Sequence, residues 1–413
     1  MNIAMLSYHT CPLATLGGKD TGGMNVYVRE VTRFLGMRGV HVDVFTRSQD
    51  EHVPHVLHDL GFGNRVVHLP AGAETWLPKR QLVDYIPQFA EGILRFAREK
   101  GIHYDLIHAN YWMSSIAAET LKAEWAVPVV TMFHTLGLMK NRIARSPEEM
   151  EGEYRIEGER RALRISDRVL AATLAEKAQL QFLYQADESE IRIVPPGVDI
   201  TRFYPIPREE ACEAIGIPPE DRMLLFVGRI EPLKGLDTLM RAIAILRECG
   251  VQCHVPHYLA VVGGDPSSSG ENLSDEMARL QTLRRELHLE DLVLFLGKRA
   301  QDTLPYYYSA ADVLVMPSHY ESFGMVALEA MACGTPVVAS QVGGLAFLVQ
   351  DGLTGYVVPD GDPQALSDRL RLLLVDGELR QRMGLQAAAY ARQYAWENIV
   401  ERLLGVYSEL LTC

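Results

Sequence analysis

Two glutamates, Glu321 and Glu329, stand with seven residues between them in PSHYESFGMVALEAMACGTPVVAS, residues 317–340. The pattern predicts a loop running into a helix, with Glu321 ahead of the helix and Glu329 inside it, and a buried strand in GTPVVAS. The unpaired N–H groups of that helix start, near Phe323, Gly324 and Met325, suit an anion. A carboxylate at the mouth of an anion site, with a second about two turns on, suits a ligand that carries both phosphate and hydroxyls. A nucleotide sugar is such a ligand. On spacing alone, two glutamates near one helix read as a solvated face. Glu329 lies between Leu328 and Ala330 in an otherwise apolar helix, however, so it needs dedicated partners.

Further residues able to do chemistry fall just after predicted strands: Gly22 and Gly23, Tyr111, His134 and Arg229. Ligands of open α/β sheets bind at those strand ends. Strand-like and helix-like segments alternate through both halves, which predicts parallel, doubly wound sheets. In the first half, NIAMLSY leads to the apolar-periodic helix NVYVREVTRFLGMRG, whose Gly39 suits a C-terminal stop. The strand HVDVFTR, a helix around PQFAEGILRFAREKG and the strands DLIHAN, VPVVTMFH and DRVLAAT follow. The second half begins near Arg222, with strands MLLFVGR, HYLAVVGG, VLFLG, DVLVMPS and PVVAS and the helix GLDTLMRAIAILRECG. Between them IRIVPPGVDITRFYPIPREE reads as a proline-rich linker. The expected boundaries are residues 1–200, 201–385 and a final segment 386–413 that crosses back to the first domain.

The size and composition fit that organisation. At 413 residues the chain exceeds one ordinary core, and 48% apolar with 23% charged residues is a globular balance. A net charge of −13 argues against nucleic acid or an anionic membrane as the main partner, so any phosphate must be held by local Arg and Lys clusters. Six cysteines lie scattered. Cys249 and Cys253, with His254 and His257, are loosely metal-like in spacing, but no second pair follows. Reduced thiols, MNIAMLSYHT reading as a first strand rather than a leader, and no spanning apolar run lead to the expectation of a cytoplasmic protein without membrane insertion.

The pattern VGRIEPLKG, then AVVGGD, then the two glutamates in HYESFGMVALEAMACGTPVVAS, resembles the family-4 retaining glycosyltransferases of GT-B fold, over nearly the whole chain. That resemblance implies two Rossmann-like domains facing a central cleft, the first for acceptor and the second for nucleotide sugar. In the first half KDTGGMNVYVRE, HANYWMSS, FHTLGLMKN and EGERRALRISDRVLAAT are similar to members that glycosylate phosphorylated acceptors. One type is the mycothiol-pathway transferase of N-acetylglucosamine to inositol phosphate, and another is the short cyanobacterial sucrose-phosphate synthase.

The resemblance also implies roles. Transfer needs the leaving diphosphate stabilised, the oxocarbenium-like sugar held and the acceptor hydroxyl aimed. Arg229 and Lys234 match the family's diphosphate pair, a fork and a point charge in place of a metal. Glu329 is matched to the ribose hydroxyls. Glu321 is matched to the transferred sugar, as an electrostatic and positioning group rather than a nucleophile. His134 resembles the histidine that contacts the donor hexose, and the Gly22–Gly23 turn lets backbone approach the diphosphate and the acceptor. Lys79, Tyr111, Thr135 and Arg155 match residues that hold an acceptor phosphate, with Arg80 and Arg142 extending the cluster, and Asn25 matches one that contacts the acceptor ring.

The leading expectation is therefore a retaining hexosyltransferase that uses UDP-glucose and fructose 6-phosphate to make sucrose 6-phosphate, with no cofactor and no metal. The alternative keeps the chemistry but takes UDP-N-acetylglucosamine and inositol 3-phosphate. A catalytically silent nucleotide-sugar-binding regulator would be expected to lose Glu321, Lys234 or His134, and all three are present. A UDP-sugar epimerase would leave the acceptor-phosphate set without a purpose.

Overall fold

The computed structural model describes residues 1–15, 21–144, 146–248, 257–264 and 275–412. Contacts divide the chain into two compact units. One runs from Met1 to Pro196 and takes in the chain from Trp396 onward, and the other is Gly197–Ala395. The divisions thus fall at 196/197 and 395/396, where the sequence placed them at 200/201 and 385/386.

The first unit is built on eight strands: β1 (Asn2–Leu6), β2 (His41–Arg47), β3 (Val56–Leu57), β4 (Arg65–Leu69), β5 (Leu106–Asn110), β6 (Val129–Met132), β7 (Arg168–Ala171) and β8 (Ile191–Ile193). They lie in the order β3-β4-β2-β1-β5-β6-β7-β8. Only the two-residue β3 runs antiparallel to its neighbour. β1 and β5 are buried on both faces except at Asn2, with His108 and Asn110 of β5 among the buried polar residues. Phe45, Phe89, Ile93, Phe133 and Leu180 belong to the core.

The second unit has six strands: β9 (Arg222–Val227), β10 (His257–Val262), β11 (Val293–Gly297), β12 (Val313–Met316), β13 (Val337–Ser340) and β14 (Gly355–Val358). All are parallel, in the order β11-β10-β9-β12-β13-β14. Leu224, Phe226, Leu239, Val261, Val315 and Leu370 belong to its core. Asp312, at the foot of β12, is wholly buried and accepts from Arg208, Arg222, Arg380 and the backbone N–H of Met223, which fixes where β12 begins.

Both sheets therefore repeat one plan, with strands added outward in both directions from a first strand. The order reverses between β1 and β5 in one unit and between β9 and β12 in the other. Such a reversal opens a crevice at the strands' carboxyl ends, because the helices on its two sides go to opposite faces.

Several elements differ from the sequence reading. β4 and β14 had no counterpart in it; they lie toward the sheet edges, paired with β2 and β13. IRI, read as part of the linker, is β8, recruited as an edge strand by β7. The first helix spans Gly23–Met37, and Gly39 lies two residues beyond it, left-handed at φ +74°, bonding back to Gly36 O at 2.9 Å. The metal-like group Cys249, Cys253 and His254 lies outside the described residues. Among the described residues no helix is long and apolar enough to cross a membrane.

The final helix, Trp396–Leu411, packs on Gly23–Met37 in the first unit. Its Trp396 and Tyr27 rings meet edge-on at 5.9 Å, and Tyr407 bonds His108 Nδ1 at 2.6 Å. His108 is fully buried in β5, and that burial pushes its imidazole down to about 3. An unfolded histidine titrates near 6.5, so between these values the unfolded chain binds the proton that the folded chain refuses. The stability His108 contributes is present in full above about 6.5 and is lost as pH falls toward about 3. The expected outcome is a thermal midpoint that falls between these pH values less steeply in His108→Asn than in the parent chain. Identical slopes, measured by circular dichroism across that range, would exclude this account.

Candidate functional site

In the second unit the site grows from the loops after β9 and β12, which flank the strand-order reversal. The chain leaving β9 passes Gly228 and Arg229 into a single turn at Pro232–Lys234, closed by Gly235 in the left-handed region at φ +64°. A Cβ at Gly235 would lie 2.0 Å from the carbonyl oxygen of Pro317, so glycine alone lets the two loops cross. The N–H of His319 then donates to Leu233 O at 2.9 Å. This crossing brings Lys234 Nζ to Glu321 Oε2 at 2.5 Å, both side chains remaining partly accessible. Arg229, also partly accessible, pairs with Glu231 rather than with a glutamate of the E-x7-E motif.

On the far side of the loop, a Cβ at Gly343 would lie 2.0 Å from Glu321 O, and the N–H of Gly344 donates to that oxygen at 2.8 Å. Phe323 is buried, with its ring 5.8 Å from that of Tyr394. Gly324, at φ +102°, precedes the helix Met325–Ala332, whose first N–H groups follow directly on the Glu321 loop. Glu329 is 6% exposed inside that helix and accepts from Tyr308 Oη at 2.8 Å. The partner demanded by its apolar surroundings is thus Tyr308, on the helix Leu304–Ala310. Burial, followed by the Glu329 charge, holds the Tyr308 hydroxyl well above the ordinary tyrosine range, so it remains a donor. His319 Nδ1 is bound to Asp360 Oδ1 at 2.7 Å. The set offers a cation, two carboxylates and a helix N-terminus around one strand-order reversal, which is a fitting environment for a diphosphate linked to polyhydroxylated rings.

In the first unit the loop after β5 carries Tyr111, which heads the helix Trp112–Trp125 at φ +73° and ψ 151°. That backbone region is essentially glycine's, and a side chain there costs on the order of 1–3 kcal/mol. The next strand ends the same way, with His134 at φ +62° after β6. Two strained non-glycine residues at adjacent strand ends mark a place where side-chain position is held against backbone preference.

Cations converge on Tyr111. Arg155 Cζ lies 5.2 Å and Lys79 Nζ 5.7 Å from the ring centroid. Arg155 is 1% exposed and reaches in four directions. Its Nη2 donates to Thr135 Oγ1 at 3.0 Å and Thr135 O at 3.1 Å, and its Nε to Glu159 Oε1 at 2.9 Å. Its Nη1 donates to Glu151, and the same carboxylate oxygen accepts from Lys140 Nζ at 2.8 Å. Burial works against the charge of Arg155, but Tyr111, Glu159 and Glu151 outweigh it and hold the guanidinium above its ordinary range. Burial lowers Lys140, and repulsion from Arg155 adds to it. Arg80 and Arg142 are exposed.

Asn25 is placed differently from an outward-facing group. It is 1% exposed, with Nδ2 donating to Thr10 Oγ1 and Cys11 O, each at 2.7 Å, while Oδ1 accepts from the Gly22 N–H at 2.8 Å. Its amide closes the start of the helix that Gly22 and Gly23 open, the reciprocal half of a capping box. His134 keeps an accessible edge; its Nε2 lies 2.9 Å from Asn110 Oδ1 and its ring 5.1 Å from that of Tyr27. Burial, reinforced by His108, pushes its imidazole down to about 3, so it is neutral at pH 7.

The structure thus gathers Lys79, Tyr111, Thr135 and Arg155 into one cluster and pairs Lys234 with Glu321. Sequence reasoning missed Lys140, Glu151, Glu159 and Tyr308. Lys140 sits in the conspicuous FHTLGLMKN, and Tyr308 in a run of three tyrosines, but Glu151 is one acid among many in SPEEMEGEYRIEGE. Among the described residues no group of three or more His, Cys, Asp or Glu side chains is placed to hold a metal ion.

Comparison with known proteins bears on the family and the fold. Residues 21–202 match Glycosyltransferase Family 4, and residues 207–390 match Glycosyl transferases group 1. The D-inositol 3-phosphate glycosyltransferase of Actinosynnema mirum is 40% identical over 408 residues, covering 98% of this chain and 97% of that protein. The protein of the same name from Kineococcus radiotolerans is 42% identical over 416 residues, covering 98% and 94%. Among solved structures, the sucrose-phosphate synthase of Thermosynechococcus elongatus superposes with a TM-score of 0.90 at 34% identity, covering 100% of this chain and 99% of that one. Two Rossmann-like units, the family matches at both ends and identity sustained over nearly the full length lead to one conclusion: the chain belongs to the family-4 glycosyltransferases of GT-B fold and is a glycosyltransferase.

Proposed function

We propose that this enzyme moves a hexose from a nucleoside diphosphate sugar to a phosphorylated acceptor, with retention at the anomeric carbon and without a metal, and that the acceptor is an inositol phosphate. The observation that carries this reading is the gathering of Lys79, Lys140 and Arg155 about Tyr111 and Thr135. Three cations with two hydroxyl-bearing side chains match the charge and acceptor oxygens of a dianionic monoester. The choice of inositol phosphate rests on relatives of that printed activity at 40% and 42% identity over almost the whole chain.

In this reading the second unit holds the donor. Lys234 and Arg229, with the N–H groups at Phe323, Gly324 and Met325, stabilise charge developing on the departing diphosphate. Glu329, already aligned by Tyr308, takes the ribose hydroxyls. Glu321, carried on the loop pinned by Gly235 and Gly343, orients the transferred sugar and stabilises positive charge near its ring. Its carboxylate is held by Lys234 Nζ, and in this reading it positions the sugar and stabilises charge rather than forming a covalent intermediate. His134 acts as a neutral contact to the hexose. Gly22 and Gly23 leave room for substrate, and Asn25 fixes their turn. The acceptor proton passes to an oxygen of the leaving phosphate on the same face of the sugar.

A second reading, fructose 6-phosphate as acceptor with UDP-glucose as donor, is favoured by the likeness to sucrose-phosphate synthase. A donor-by-acceptor panel followed by nucleotide release separates the two. UDP-N-acetylglucosamine with inositol 3-phosphate should turn over fastest; preference for UDP- or ADP-glucose with fructose 6-phosphate would install the second reading.

Lys234→Ala and Glu321→Ala are each expected to lower turnover about a hundredfold or more while circular dichroism stays that of the parent, the scale of losing one charge-stabilising group at a reacting centre. Unchanged turnover in either would remove the donor-side assignment. Lys79→Ala should raise the acceptor KM about tenfold with little change in the donor KM, since it deletes one charged contact at the rim of the cluster. Equal changes in both constants would argue against an acceptor-phosphate role. Lys79 is the cleaner probe than Arg155, whose removal would strand the buried Glu159.

A further inference from the structure

The cation cluster of the first unit contains an anion at the place where its proposed ligand would bring one. Glu151 lies in the segment before the helix Glu153–Ile165, and Asn141 clamps its backbone from both sides. The Glu151 N–H donates to Asn141 Oδ1 at 2.6 Å, and Asn141 Nδ2 donates to Glu151 O at 3.1 Å. With its backbone fixed, the side chain turns into the cluster, where Oε1 accepts from both Lys140 Nζ and Arg155 Nη1.

The two carboxylates on Arg155 are not equivalent. Glu159 is fully buried and holds the Nε edge, with further donors in Tyr184 Oη and the Gly137 N–H. Thr135 takes Nη2. Glu151 takes Nη1, and its side chain keeps 20% of its surface exposed. A phosphate approaching Arg155 from solvent therefore meets the Glu151 edge first. Two negative groups cannot share Nη1 and Lys140 without strong repulsion.

We propose that Glu151 is a built-in counter-anion of the acceptor site, which occupies the phosphate's place on Arg155 and Lys140 until the acceptor displaces it, and so sets how strongly an acceptor must be charged to bind. The proposal rests on the acceptor-phosphate reading above. Burial alone would raise the Glu151 carboxyl, but Arg155, Lys140 and Lys79 reverse that and hold it below its ordinary value, so it is ionised at neutral pH. The cluster without Glu151 would place Lys79, Lys140 and Arg155 together against Glu159 alone. With Glu151 ionised, three positive charges face two negative ones, a ligand-free state with little self-repulsion. A dianionic phosphate can outcompete one carboxylate for the shared donors, whereas a monoanionic or uncharged acceptor gains too little. Glu151 is thus a specificity-determining residue that acts by exclusion, a repulsive element set against the wrong partner.

The test is titration of inorganic phosphate by calorimetry into the full chain, as parent, Glu151→Gln and Lys79→Ala, together with acceptor KM for inositol 3-phosphate and fructose 6-phosphate. Glutamine keeps the shape and removes the charge. Glu151→Gln is expected to bind phosphate about tenfold more tightly and to lower the KM of the phosphorylated acceptor it uses by a similar factor, the scale of removing one nearby like charge. A merely structural lesion would weaken binding rather than tighten it. Affinity unchanged or reduced in Glu151→Gln overturns the counter-anion role. Lys79→Ala reports separately on the underlying reading: phosphate affinity and acceptor KM that do not change there would refute the acceptor-phosphate site itself, whatever Glu151→Gln does.

Discussion

Burying Arg155 obliges the fold to bury Glu159 beside it, and most of the first unit's site follows from that pair. A guanidinium 1% exposed persists only with a hydrogen-bonded counter-charge, since an unpaired buried ion costs several kcal/mol, on the order of 3–5 when one partner is lost. Glu159 is itself wholly buried, which pushes its carboxyl upward, so it gathers further donors. These are the Gly137 N–H, 3.0 Å from both carboxylate oxygens, and Tyr184 Oη, which in turn accepts from the Leu138 N–H at 2.9 Å. One carboxylate thereby ties the helix Glu153–Ile165 to the helix Leu174–Tyr184 and to the chain leaving β6. Gly137 packs closely there, since a Cβ would sit 2.7 Å from Ile156 Cδ1 and 3.0 Å from Glu159 Oε2, so those side-chain ends would have to shift. The segment between β6 and Gly137 is short, so fixing its far end fixes His134 and Thr135. The left-handed backbone of His134 is tolerable because both ends of its loop are over-determined.

The second unit meets the same requirement by other means. Its order likewise reverses beside its first strand, but its loops are held by backbone passing against backbone. Gly235 against Pro317 O and Gly343 against Glu321 O are approaches that any side chain would forbid. Between these two crossings the Glu321 loop has little freedom, so a partly accessible ion pair with Lys234 suffices to orient the carboxylate. The close backbone crossings at Gly235 and Gly343 position the loop, and the Lys234 contact orients its carboxylate. In the first unit the buried charges are structural, and the proposed acceptor would have to compete with them. In the second the backbone is structural.

That difference governs what could be read in the sequence. The second unit's site was legible in ESFGMVALEAMACG because glycine, glutamate and a helix start lie within one stretch, and local geometry carries their meaning. The doubly wound plan was legible as well, since β1, β9 and β12 are largely apolar runs alternating with helical patterns. Resemblance located Lys79, Tyr111, Thr135 and Arg155 but could not tell which face of Arg155 was already occupied, as Glu159 and Glu151 are one turn to either side of it on an acid-rich helix and its approach. Asn25, expected at the acceptor ring, was not legible as a buried brace, because its partners Thr10 and Cys11 lie fifteen and fourteen residues back in a turn without periodicity. β4, β8 and β14 were illegible for a different reason: each lies at or next to a sheet edge, and its identity as a strand comes from the neighbour it pairs with rather than from its own pattern.

The histidines bear on the chemistry in a way that motif matching alone leaves open. His134 and His108 are neighbours around Tyr27, and the returning helix closes over them through Trp396 and Tyr407. Burial is the main cause that pushes both imidazoles down to about 3, and for His134 the proximity of His108 adds to it. An imidazole so weakly basic is a poor proton acceptor at pH 7, where an efficient general base would have a value close to the ambient pH. With Nε2 directed at Asn110 Oδ1, whose Nδ2 is turned to Leu6 O at 3.3 Å, the arrangement fits a neutral ring with its proton on Nε2 and a lone pair on Nδ1. Such a ring can accept a hydroxyl hydrogen bond but does not take up a proton for long. Neither Glu321, bound to Lys234, nor His134 is then suited to deprotonating an acceptor hydroxyl in the proposed transfer. The strongest base brought to that reaction is the departing diphosphate itself, and the protein's task is to hold it still while its charge grows.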